Sequence, residues 1–259
     1  MRCTEATHPP LSGTCWPRTP NRLPHRGLCQ APPHGEMTNM ALVTSHEIGG
    51  KRSWGVIRAL NHDRWRPGFG FGMHAHENLE IVSYVISGAL EHEDSLGNRM
   101  VLNPYDVQVM SSGSGITHSE FNHSATENVE FAQIWIAPKY LGLPPAWQRR
   151  SFSLADMHGR LCPLVSRDRR GGSLNLWQDV CLYAAILDVG QLIEYPIERD
   201  HSALLYVLRG GVQVNGTRLR AGESVRATNE DGITLKPLQK ADILLFDLEE
   251  GSASGIEPG

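Results

Sequence analysis

No apolar run in this chain approaches the roughly 18 to 20 residues needed to span a bilayer, so no membrane segment is expected. Cysteine is scarce: the five present (Cys3, Cys15, Cys29, Cys162, Cys181) form no CxxC pair. Their odd number and wide spacing argue against a disulfide framework and for a reducing, cytoplasmic setting. Charge of one sign is also lacking. A formal net charge of −4, with lysine and arginine scattered, gives no basic footprint for direct nucleic-acid binding. Aromatic residues make up only 7% of the chain, whereas glycine is plentiful at 26. Apolar residues come as short Val-, Ile- and Leu-rich runs between turn formers, the pattern of an all-β protein.

Residues 1–36 differ from the rest. They hold seven of the 16 prolines and three of the five cysteines, with no apolar periodicity. They lack the apolar stretch of a signal peptide. This segment is expected to be a disordered extension, translated from upstream of a true start at Met37 or Met40.

From Trp54 onward short β candidates succeed one another. Trp54–Leu60 reads as a strand and Asn61-His62-Asp63 as a turn. Ile81–Ile86 is a β-branched run, Ala89–Asp94 pairs with Arg99–Leu102 as a hairpin, and Asn103–Asp106 is a further turn. Val107–Met110 and Phe131–Ile136 complete a first unit over 37–138. Residues 139–170 read as a connector with no clear long element. The second unit, 171–250, repeats the style with strands at 174–177, 180–188, 191–195, 203–209, 211–214, 222–226, 232–237 and 241–248. Its clearest hairpin turns at Asn215-Gly216. Strands spaced this way imply two β-barrels packed together.

Two strings carry the chemistry: His74-Ala75-His76 and His118-Ser119-Glu120. Residues i and i+2 of a strand share a face, so each string aims two side chains at a common point. Side by side, the strings would converge three imidazoles and one carboxylate, a ligand set for a divalent first-row metal with positions left for substrate and dioxygen. The Gly68-x-Gly70-x-Gly72 approach lets the chain bend into the first pair. His92 and Asp94 also alternate, but they border a turn and read as a solvated hairpin end. Glu80 reads either as a partner orienting an imidazole or as an exposed acid at a strand start. His123, His158 and His201 read as surface residues. Gly113-Ser114-Gly115 lies between β segments, so it is not a hydrolase nucleophile elbow.

At these residues the chain resembles a known family. Gly70–Glu80 with Val82-x-Tyr84-Val85, then Glu91-His92-x-Asp94-Ser95-x-Gly97-Asn98, Gln108–Asn122 and Gln133–Ile136, resemble the N-terminal cupin of the pirin family. Gln178-Asp179, Tyr183-Ala184-Ala185 and Val212–Gly216 resemble the C-terminal cupin of bacterial pirin-like quercetin 2,3-dioxygenases. The resemblance implies two jelly-roll cupin barrels, of which only the first carries a metal, held by His74, His76, His118 and Glu120. Iron(II) is the expected ion, with nickel, cobalt, copper, manganese and zinc as alternatives. It further implies cleavage of a flavonol ring with O2. Glu120, or a water it orients, would accept the substrate proton, and Phe69, Phe71, Met73 and Phe121 are candidates for an apolar wall, at least some of them being barrel core. The competing implication is a non-catalytic, iron-bearing regulator acting through a protein partner. A monomer is expected. The chain departs from the family in two places. Tyr105 occupies a turn position where the family has a small residue, and is expected there in type I geometry, which tolerates a tyrosine. Residues 37–53 lack the family's β-rich head, which would leave a sheet edge uncovered.

Overall fold

The computed structural model of the protein describes residues 54–249, together with the backbone of 38–44 and 257–258. The extension over 1–36 lies outside the described residues. The first barrel is built from β1 (Thr38–Thr44), β2 (Ile57–Trp65), β3 (Gly70–His76), β4 (Glu80–Ser87), β5 (Leu90–Asp94), β6 (Arg99–Leu102), β7 (Asp106–Ser111), β8 (Ile116–Asn122) and β9 (Val129–Ile136), with one further strand from the segment after it. The segment that follows holds β10 (Tyr140–Leu141), β11 (Ala146–Ser151) and the short helix α1 (Leu154–Met157). The second barrel comprises β12 (Cys162–Ser166), β13 (Leu174–Asn175), β14 (Val180–Leu187), β15 (Ile193–Pro196), β16 (His201–Arg209), β17 (Gly211–Val214), β18 (Thr217–Arg220), β19 (Ser224–Ala227), β20 (Gly232–Pro237) and β21 (Ala241–Glu249).

Each barrel is a six-stranded sheet facing a four-stranded one. In the first, the orders are β1-β2-β9-β4-β7-β11 and β3-β8-β5-β6. In the second they are β13-β12-β14-β21-β16-β19 and β15-β20-β17-β18. The two large sheets pack back to back. Val82, Tyr84, Ile86, Val109, Ile134 and Ile136 from one share a core with Leu182, Ala184, Leu204, Tyr206, Leu244 and Phe246 from the other. The alternate residues of these strands face into their own barrels, where Val85 and Phe131 meet Leu90 and Leu102. In the second barrel Leu205 and Leu245 meet Val212 and Leu235. The central strands are thus buried on both faces, which explains why Ile81–Ile86 reads as a β-branched run without apolar–polar alternation, with a buried Ser83 its one small polar residue.

Four expectations change. Asn61-His62-Asp63 is not a turn but continues β2, because Asn61 and His62 pair with Gln133 and Ala132 of β9. Cross-strand pairing overrides local turn preference there. The reversal lies earlier, at Gly55, whose φ of 55° lets the Ile57 N–H return to the Trp54 carbonyl at 3.1 Å. The edge expected to be open beside β2 is covered, since β1 pairs with it antiparallel. Tyr105 adopts φ 70°, a left-handed conformation rather than the type I geometry that would suit a bulky residue. Finally, the 139–170 segment is not only a connector: β11 extends the first barrel's large sheet beside β7, and β12 pairs with β14, so the second barrel begins before residue 171. The hairpin at Asn215-Gly216 forms as expected, both residues having positive φ.

Candidate metal centre

Strands β3 and β8 are antiparallel neighbours in the small sheet of the first barrel, with His74 directly opposite His118. A register shift between Phe71 and His74 marks a bulge, the device that re-aims a side chain within a ladder. Gly70 permits the approach: a Cβ there would sit 2.1 Å from the Glu120 carbonyl oxygen. The rings of His74 and His118 are 4.4 Å apart, those of His74 and His76 4.9 Å, and those of His76 and His118 5.0 Å. One ring nitrogen from each of the three lies within 4.8 Å of the others.

Protonation and tautomer favour free lone pairs. Burial, reinforced by the neighbouring imidazoles, pushes His118 down to about 2, and burial with His74 pushes His76 down to about 4. Both are therefore neutral near pH 7. The His74 Nδ1–H donates to the Gly72 carbonyl at 2.8 Å, the tautomer that in a neutral ring puts the lone pair on Nε2. His118 is 1% exposed, yet neither of its ring nitrogens has a hydrogen-bond partner. A buried polar atom without a partner costs roughly 1–3 kcal/mol. Neutral imidazoles on rigid strands, one of them unsatisfied, fit a divalent first-row cation.

Glu120 is also buried, and both of its oxygens are hydrogen-bonded. Its Oε2 accepts from Gln133 Nε2 at 2.7 Å and its Oε1 from Gln108 Nε2 at 2.9 Å. Each glutamine is fixed in turn by an indole: Trp135 Nε1–H donates to Gln133 Oε1 and Trp147 Nε1–H to Gln108 Oε1, both at 3.0 Å. Burial pushes the Glu120 carboxyl above its ordinary range, against the pull of His92 and the Gln133 hydrogen bond. The structure groups Glu120 with His92 and His118, donor atoms again within 4.8 Å, rather than with His74 and His76. His118 thus belongs to both groups.

The reading of His92 and Asp94 as a solvated hairpin end is overturned. They are 0% and 5% exposed and hydrogen-bonded to each other at 3.1 Å. On β5, His92 pairs with Glu120 and Asp94 with His118, so the barrel interior claims them despite the adjacent turn. Glu80 fits neither of its readings. It is buried, accepts from Ser111 Oγ at 2.6 Å rather than from an imidazole, and is pushed up to about 7 by burial. The expected apolar wall is divided. Phe69 and Phe71 pack edge-on against Trp65. Met73 and Phe121 alternate with the ligand positions and are exposed, facing away from them. His123 and His158 are at the surface, while His201 is half-buried and hydrogen-bonded to Asp247 at 2.7 Å. Sequence reasoning missed Trp147, whose segment was read as connector. It attached no role to Gln108 or Gln133.

Among the described residues, both groups of candidate metal ligands fall in the first of two cupin barrels, which defines a bicupin with a histidine-rich centre in its front half. Comparison with known proteins takes the assignment further. Residues 34–136 match the Pirin model, and residues 163–248 match that of the quercetinase C-terminal cupin domain. The chain is 37% identical over 196 residues to a pirin-like protein of Caulobacter vibrioides, covering 75% of this chain and 84% of that one. It is 35% identical over 193 residues to the quercetin 2,3-dioxygenase of Escherichia coli K12, covering 74% and 82%. Among solved structures, the nickel(II) complex of the bacterial pirin YhhW from Escherichia coli superposes with a TM-score of 0.75 at 31% identity, covering 82% of this chain and 90% of that one. The chain belongs to the pirin family.

Proposed function

We propose that the protein is a metal-dependent dioxygenase of the quercetinase type, in which His74, His76, His118 and Glu120 hold one divalent cation. The observation that carries this reading is the unsatisfied, buried His118 facing His74 and His76. The names of the relatives support the substrate class, and the nickel complex of YhhW supports the metal. Iron(II) is the ion we assign, since dioxygen is the co-substrate.

The cation supplies Lewis acidity toward the 3-oxygen of a flavonol. The protein does the rest. His74, with its Nδ1–H tied to Gly72, and His76, its ring 5.6 Å from that of Trp135, present unprotonated nitrogens from a rigid strand. Glu120, raised in basicity by burial, accepts the proton leaving the substrate 3-hydroxyl, directly or through a water it orients. Gln108 and Gln133 hold that carboxylate in place while the proton moves. His74 and His76 are only half-buried, so the planar substrate enters on their side. The overall reaction joins flavonol and O2 and yields a ring-opened product and carbon monoxide.

Carbon monoxide release from quercetin by metal-reconstituted protein tests the reading. Turnover should be measurable in the wild type and abolished in His74→Ala. Absence of turnover with iron, nickel, cobalt, copper and manganese alike would contradict it and leave a regulatory role.

A further inference from the structure

Strand β2 turns three polar side chains into the first barrel that the metal centre does not use. His62 faces the second barrel, where it meets Tyr206, so its neighbours Asn61 and Asp63 project the other way. Pairing across the sheet agrees. Asn61 stands opposite Gln133, which holds Glu120, and Asp63 stands opposite Phe131 of the barrel's interior cluster. Trp65, next along the same face, packs edge-on against Phe71, whose ring lies 6.2 Å from that of His74. Asp63 is also close enough to Glu120 for their charges to repel. This face of β2 therefore borders the proposed centre.

All three side chains lack partners. Trp65 is 2% exposed, yet its Nε1–H has no acceptor, and a buried donor left unpaired is costly. Among the described residues, neither the Asn61 amide nor the Asp63 carboxylate makes a side-chain hydrogen bond or an ion pair. Both are partly exposed although they face inward, so open space adjoins them. Burial pushes the Asp63 carboxyl up to about 6, so at pH 8 it is ionised and can only accept. An unpaired donor and an unpaired acceptor thus share one face, beside an amide that can do either. Hydroxyl groups, which donate and accept at once, match that set.

We infer that Asn61, Asp63 and Trp65 are specificity-determining residues that read substrate hydroxyls remote from the metal. Phenolic hydroxyls donate to the Asp63 carboxylate and accept from the Trp65 Nε1–H, and Asn61 holds a neighbouring oxygen. The inference rests on the flavonol reading above and narrows it to polyhydroxylated flavonols. A site built around a substrate hydroxyl rejects the analogue lacking it, because its own polar groups are then left unpaired.

Calorimetric binding to zinc-loaded protein at pH 8 tests this without turnover. Quercetin is compared with 3-hydroxyflavone, which keeps the metal-binding oxygens but lacks the other hydroxyls. The wild type should bind quercetin about 10- to 100-fold more tightly. Asp63→Ala should erase most of that preference. Asp63→Asn, which keeps an acceptor oxygen, and Trp65→Phe, which keeps a ring but no N–H, should each erase part of it. Should Asp63→Ala fail to fold, those two variants carry the same test. Equal wild-type affinity for the two compounds would mean that these groups hold only water, and would overturn the inference. So would a preference unchanged in every variant, or an equal loss for both compounds in Asp63→Ala. A wild type that takes up zinc but binds neither compound would instead bring down the flavonol reading, and the inference with it.

Discussion

Glu120 sits at the meeting point of two relays, from Trp135 through Gln133 and from Trp147 through Gln108. Each amide does two jobs, donating to the carboxylate and accepting from an indole, so neither glutamine has an apolar substitute. Gln133→Leu strips the donor from Oε2 and leaves the Trp135 N–H without its acceptor. Urea unfolding should register a loss of about 1–3 kcal/mol, and nickel titration a weaker site. Unchanged stability and affinity would show that the relay holds nothing. At this scale the sequence singled out candidate ligands and was silent about what surrounds them. Ligand-x-ligand spacing on a strand has a direct geometric meaning, which is why His74, His76, His118 and Glu120 stand out. Gln108, Gln133 and Trp147 act from other strands, and no local spacing links them to Glu120. His92 was misread for a related reason: proximity to a turn suggests exposure, but its strand is covered by the opposing sheet.

The strand pair β3–β8 sets the distance between the two ligand strings, and Gly70 is its tightest point. A methyl group at that position would meet the Glu120 carbonyl oxygen and, at 2.5 Å, the Phe121 Cα, both backbone atoms that cannot rotate away. Gly70→Ala should therefore push β3 from β8. Overpacking of this kind costs typically about 1–3 kcal/mol. A thermal melt should show the destabilisation, and nickel uptake should fall even though no ligand has changed. Wild-type nickel affinity in this variant would mean that strand spacing does not set the site. Most elements were legible from alternation and turn formers, including the β5–β6 hairpin and the turn at Asn215-Gly216. Two of the exceptions share one cause. Asn61–Asp63 and Ala146–Ser151 have weak strand character of their own, and become strands by pairing with β9 and β7 across long sequence separations.

Between the barrels, the apolar interface is punctuated by polar links. His62 of β2 meets Tyr206 of β16 at 3.3 Å and Glu130 of β9 at 2.9 Å, and Arg209 of β16 also binds Glu130. Burial pushes the Glu130 carboxyl up, but hydrogen bonds from His62 and Arg209 outweigh it and hold the group down at about 2. Its folded value lies below its ordinary one of 4.5. The linked stability is thus fully present above pH 4.5 and drains away as pH falls toward 2. Melting temperature followed over that window should fall in the wild type and fall less in Arg209→Met, whose Glu130 carboxyl stays nearer its ordinary value in the fold. Superimposable acid limbs would remove Arg209 from the account. The two-barrel organisation was visible in the sequence as two successive sets of short strands. The partner of each large sheet was not, because a strand buried on both faces shows no apolar–polar alternation.

Equilibrium titration of nickel(II) into metal-stripped protein tests most directly whether the front barrel grips a single ion. The wild type should take up one equivalent and His118→Ala none. A wild type that binds no nickel, or a His118→Ala protein that binds the same single equivalent, would contradict the account.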